Sequence, residues 1–100
     1  MIFVFHLIDS PDSAAPRAEF MAQHKAYIAA VADRIAFAGP LVGDDGKTTA
    51  GSLLAIDFDD RAAADKWIAA EPFTRAGVYA KTTIHAFLNR WAQKAGFPAN

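Results

Sequence analysis

Ile2-Phe3-Val4-Phe5-His6-Leu7-Ile8 decides how this chain must fold. In an extended strand, alternate side chains point to opposite faces, so Ile2, Val4 and Ile8 lie on one side and Phe3, Phe5 and Leu7 on the other. Both sets are apolar and neither suits water, which is the signature of a sheet covered on both faces. The segment is rich in β-branched and aromatic residues, and Asp9-Ser10-Pro11-Asp12 then stops it with turn chemistry. Gly51 to Phe58 repeats the pattern, with Leu54, Ile56 and Phe58 on one side and Leu53 and Ala55 on the other.

Between these strands the hydrophobic period changes from two to about 3.6 residues. Phe20, Met21, Tyr27, Ile28, Val31 and Ile35 recur at three- and four-residue steps, which predicts a helix starting near Ser13 to Pro16 and running to about Arg34. Ile35 to Val42 reads as a second strand, bent at Gly39-Pro40, and Gly43-Asp44-Asp45-Gly46-Lys47 supplies a hairpin turn. After the returning strand, Asp59 or Asp60 caps a second helix whose inner face is Ala63, Ala64, Trp67 and Ile68. Glu71-Pro72 ends that helix, because the residue before proline avoids helical angles. Phe73 to Gly77 reads as a connector, with Gly77 supplying a left-handed turn, and Val78 to Leu88 as the last strand. Residues 1–90 therefore form one domain and residues 91–100 a C-terminal tail.

The order is βαββαβ: an α+β, ferredoxin-like arrangement of a four-stranded antiparallel sheet with two helices on one face. Two helices cover only one side of the sheet. The other apolar face is expected to pack against a second copy of the chain in a symmetric homodimer.

Composition narrows the function. Over 100 residues the net charge is -1 and the pI about 6.2, with acids and bases scattered, so no basic face is offered to nucleic acid or to anionic lipid. No apolar run approaches the roughly 18 residues that a membrane span needs, and Met1 to Ile8 lacks the basic start and small-residue cleavage site of a leader. A soluble, cytoplasmic protein is expected. There is no cysteine, hence no thiolate nucleophile and no sulfur-built zinc site.

His24 is the sharpest chemical hint, since it interrupts the apolar stripe of the first helix. An imidazole facing a sheet either moves protons or is satisfied as a core residue by hydrogen bonds, and spacing alone leaves both open. Arg17 lies two turns earlier on the expected helical face and reads as an anion-binding group, or as a side chain snorkelling to solvent. Glu71 comes from the end of the neighbouring helix, where a carboxylate either orients His24 or is simply exposed. Asp33, nine residues after His24, falls on the wrong side of the helix to serve. Ser52 reads as a strand residue lining a pocket, while Tyr27, Trp67, Phe73 and Trp91 read as core or interface. His6 and His85 sit on strands expected to be neighbours but show no ligand spacing, so no metal site is expected.

Arg17 followed by His24, Ala38-Gly39-Pro40-Leu41, Gly51-Ser52, Glu71-Pro72-Phe73 and Ala76-Gly77-Val78-Tyr79 together resemble the YCII-related (YciI-like) family, from Met1 to about Phe87. The resemblance implies a dimeric α+β barrel similar to the muconolactone isomerases, with an active site of one histidine and one aspartate. The histidine falls on His24. The aspartate of the family's Asp-Pro-Phe or Asp-Pro-Tyr falls on Glu71, a departure that keeps the charge and adds one methylene. The family includes a dehydrochlorinase acting on a chlorinated hydroxyquinol. The resemblance therefore implies a lyase or isomerase without a cofactor, acting on a small cyclic anion. His24 and Glu71 would be catalytic, and Arg17, Ser52 and Phe73 would bind substrate. A noncatalytic dimeric module that binds a small molecule or a protein is the alternative.

Overall fold

A computed structural model describes residues 1–94. It contains β1 (Ile2–Asp9), α1 (Ala14–Glu19), α2 (Met21–Ala29), β2 (Ile35–Val42), β3 (Thr49–Asp57), α3 (Arg61–Ala70), α4 (Pro72–Arg75) and β4 (Tyr79–Phe87), with a single 3₁₀ turn at Ala32–Arg34 before β2. The sheet is antiparallel in the order β2-β3-β1-β4, the ferredoxin-like topology expected. The tail expected over 91–100 lies partly outside the described residues.

Strand register sorts the side chains into two faces. Phe3, Phe5 and Leu7 stand beside Ile56, Leu54 and Ser52, and α3 covers them with Ala64, Trp67 and Ile68. Tyr27 and Ile28 of α2, and Val31 just after it, pack against the same cluster. Phe5, Phe58 and Trp67 meet at tilted or edge-on angles with ring centroids 5.5–6.1 Å apart, within the favoured range for aromatic packing. Tyr27 adds a polar tie across the two helices, its hydroxyl donating to the Trp67 carbonyl at 2.7 Å. Burial, and secondarily the nearby Glu71 charge, push the Tyr27 phenol above its ordinary pKa.

The opposite face carries Val4, His6 and Ile8 in register with Ala55, Leu53 and Gly51 on β3 and with His85, Thr83 and Lys81 on β4. No helix covers it. Phe37 and Phe87 reach across this face to an edge-on contact at 6.3 Å, and Phe37 remains 39% exposed.

Local chemistry accounts for the joints. The Asp60 carboxylate accepts from the Ala63 amide and caps α3. Gly46 and Gly77 take positive φ at 71° and 75°, where a Cβ would be strained. Gly51 is required for another reason: a Cβ there would stand 1.9 Å from the Leu7 carbonyl oxygen on β1.

Three expectations need correcting. The first helix is not continuous to Arg34: Phe20 leaves helical angles at φ -102° and ψ 11°, splitting it into α1 and α2, and α2 ends at Ala29. Ile35 does not belong to a helical stripe, since it opens β2 and pairs with Ile56. The connector after Glu71 coils into α4, because proline is pre-set for a first helical position.

Candidate functional site

The site forms where α2, α4 and the β1 end of α1 converge. Glu71 is the joint between α3 and α4, with φ -65° and ψ 133° as expected before proline. Its side chain is buried and turns inward, and each carboxylate oxygen has a task. Oε2 accepts from the Thr74 amide at 3.2 Å and caps α4, while Oε1 stands 2.6 Å from His24 Nδ1. A carboxylate offers only acceptors, so the proton in that bond sits on Nδ1. The other ring nitrogen, Nε2, is thereby left as an acceptor when the imidazole is neutral.

The imidazole is fixed in a second way. It lies flat on the Phe73 ring, with centroids 3.9 Å apart and planes 4° from parallel. Phe73 is fully buried, so it positions His24 from behind and does not reach the cavity surface where substrate contact was expected. The Arg17 guanidinium also rests on Phe73, its Cζ 4.8 Å from the ring centroid.

Arg17 is held by a partner that the sequence reading overlooked. Its Nη2 donates to both oxygens of Asp9 at 2.8 and 3.0 Å, in a pair whose side chains are only 15% and 7% exposed. In the sequence Asp9 stands only as part of the turn that stops the first strand. The useful signal was its place at a strand end beside the start of α1, eight residues from a cation. Arg17 and His24 share no continuous helix, yet they line one cavity.

That cavity, of about 360 Å³, opens between α2 and the sheet. Met21, Ile28, Leu54 and Pro40 supply apolar walls, and Arg17, His24, Lys25 and Ser52 supply polar groups. Ser52 thus lines a pocket, as expected from its strand position. Behind the wall, Tyr79 meets Phe73 edge-on at 6.2 Å, and its phenol is buried without a hydrogen-bond partner. Burial pushes the Tyr79 pKa up to about 12; Ser52 draws it part of the way back, although the two hydroxyls do not meet in a well-directed bond. His6 and His85 are exposed strand residues, and among the described residues no group of three or more His, Cys, Asp or Glu side chains is placed to hold a metal.

A ferredoxin-like sheet with a carboxylate-backed histidine at the wall of an open, ligand-sized cleft defines a class of small α+β domains with a pocket between helix and sheet. The chain belongs to the YCII-related domain family, whose model matches residues 1–88. It is 29% identical over 94 residues to the protein YciI of Escherichia coli O6:H1 and of Shigella flexneri, spanning 87% of this chain and 96% of theirs. Among solved structures it is similar to 5-chloro-2-hydroxyhydroquinone dehydrochlorinase (TftG) from Burkholderia phenoliruptrix AC1100 in complex with 2,5-dihydroxybenzoquinone. The identity there is 28% and the TM-score 0.81, covering 88% of this chain and 94% of that one. No helix among the described residues is long and apolar enough to cross a membrane.

Proposed function

We propose that this protein is a cofactor-independent lyase or isomerase in which His24 moves a proton on a small cyclic anion. The observation that carries the reading is the 2.6 Å contact between His24 Nδ1 and the buried Glu71 carboxylate at the cavity wall. Glu71 fixes the tautomer and stabilises the imidazolium once a proton has arrived. Nε2 takes a proton from a substrate carbon. In the lyase direction, the C–H electron pair becomes a new double bond and the leaving group departs with its own bonding pair. In the isomerase direction, the same nitrogen returns the proton to a different carbon. Ser52 donates to a substrate oxygen, and Arg17 forms part of the same cavity wall as His24.

The dehydrochlorinase that this chain resembles supports the lyase direction and supplies a first substrate to try. Chloride release from 5-chloro-2-hydroxyhydroquinone, followed by ion chromatography, should be catalysed by the wild type and abolished in His24→Gln without loss of fold. Binding of 2,5-dihydroxybenzoquinone without turnover of any small cyclic acid would replace this reading with a noncatalytic binding module.

The functional unit in this reading is a homodimer, with the second copy lying on the uncovered face of Val4, Leu53, Phe37 and Phe87. Apolar area left open on one side of a four-stranded sheet supports it.

A further inference from the structure

The cavity wall holds three basic side chains, and two of them already have a carboxylate of their own. Arg17 is matched by Asp9 at 2.8 Å and His24 by Glu71 at 2.6 Å. Lys25, the next residue after His24 on α2, also lines the cavity, and among the described residues it makes no salt bridge or side-chain hydrogen bond. Among the described residues no aspartate or glutamate lines the cavity beside it.

The charge balance around the imidazole sets what an incoming anion meets. For His24 to accept a proton it must be neutral, and the His24–Glu71 pair then carries a net negative charge. The Arg17–Asp9 pair carries none. An anionic substrate approaching Nε2 would meet repulsion from the buried Glu71 carboxylate, in surroundings where charge interactions are weakly screened. Lys25 is the uncompensated positive charge on that wall.

We propose that Lys25 is the specificity-determining residue of this site. It would select substrates that are anions at neutral pH, with Arg17 serving to hold Phe73 and the wall in place. The inference rests on the proposed reading of the cavity as a site for small cyclic anions and names the residue that recognises the charge. Arg17 was expected in that role from its spacing, but its pairing with Asp9 leaves little charge to offer. An ammonium on a flexible stem also suits recognition of an anion by charge more than by fixed geometry.

The test uses 2,5-dihydroxybenzoquinone, which is ionised at neutral pH, and hydroquinone, a neutral ring of similar size, in calorimetric titrations of the whole protein. The dianion should bind Lys25→Gln about tenfold more weakly than wild type, while Lys25→Arg restores most of the affinity. Hydroquinone should bind wild type and Lys25→Gln equally. The salt dependence of dianion binding should flatten in Lys25→Gln, because the lost contact is between charges. Lys25 is exposed, so the urea midpoint should not move. Equal dianion affinity in wild type and Lys25→Gln would overturn the proposal and leave the reading of the cavity intact. Failure of the wild type to bind either ring would overturn both.

Discussion

Replacing Glu71 with glutamine is the most discriminating perturbation of this molecule, because the carboxylate makes two bonds that an amide cannot both reproduce. Glu71 accepts from His24 Nδ1 at 2.6 Å and from the Thr74 amide at 3.2 Å, and its side chain is 1% exposed. Glutamine has the same shape but brings one acceptor oxygen and one NH₂. If the oxygen stays on Thr74, the NH₂ faces Nδ1, and the imidazole must shift its proton to Nε2. The nitrogen facing substrate is then a donor and no longer a base. If the oxygen instead faces Nδ1, the NH₂ opposes the Thr74 N–H, leaving a buried donor unpaired at a cost of about 1–3 kcal/mol. The first arrangement is the cheaper one. Two charge-assisted bonds become one neutral bond and one reversed bond, offset in part by no longer burying a carboxylate. The net loss is about 1–2 kcal/mol, or a fall in Tm on the order of 5–15 °C for a domain of this size. Turnover should fall by about 10²–10⁴, the range for losing a general base or its correct tautomer. The assay is the ¹⁵N–¹H correlation spectrum of the imidazole at neutral pH, which distinguishes the two tautomers directly, with urea unfolding alongside. A Glu71→Gln protein that keeps its proton on Nδ1 and loses less than about 0.5 kcal/mol would refute the assignment of the two bonds.

Other consequences are as open to measurement. Gly51→Ala would place a methyl 1.9 Å from the Leu7 carbonyl oxygen, so β1 and β3 must part; about 3 kcal/mol or more should be lost in urea unfolding, and a near-neutral variant would contradict the strand spacing. Tyr79 keeps its proton to about pH 12 when folded, whereas the unfolded phenol ionises near 10. Its contribution to stability is therefore complete below pH 10 and lost as pH rises through 12. Tyr79→Phe should flatten that alkaline decline and cost little at pH 7, since the hydroxyl has no partner to lose. If the uncovered sheet face is the dimer interface, Phe37→Asp should sediment as a monomer at concentrations where the wild type is dimeric, and an unchanged sedimentation coefficient would reject that face.

Much of the fold is legible in the strands because they are short, apolar on both sides and punctuated by strong turn residues. Ile35–Val42 matches the expected second strand to the residue, Asp60 caps α3, and Gly77 takes the left-handed turn expected of it. The helical side was harder to read. Nothing in Arg17-Ala18-Glu19-Phe20-Met21 marks a helix end, since it has neither glycine nor proline, and an apolar stripe runs on through a break that only dihedral angles reveal. The site divides in the same way. His24 stands out in the sequence as an ionisable residue among apolar ones, whereas Glu71 is marked only by its place at the end of the neighbouring helix, which leaves an exposed side chain equally open. The claim of Asp9 on Arg17 is not legible there, because it depends on where α1 comes to rest against β1. The resting place of Phe73 depends likewise on how a connector coils, and composition does not convey that. Lys25 carries no mark in the sequence for the opposite reason: it is an ordinary exposed lysine whose proposed role depends on how its neighbours' charges are paired.

The shortness of α4 makes the site an internal gauge of folding. Four residues are far too few to hold a helix in water. Pro72–Arg75 persists because Glu71 caps one end, Gly77 turns the chain at the other and Phe73 is anchored in the interior. Two of those groups, Glu71 and Phe73, clamp the imidazole, so a partly unravelled chain that keeps its sheet would already have a freely rotating His24. Ligand binding and near-ultraviolet dichroism should then vanish no later than the sheet itself in a denaturant series, and a protein stabilised elsewhere gains nothing at the pocket unless this one short turn is stabilised with it.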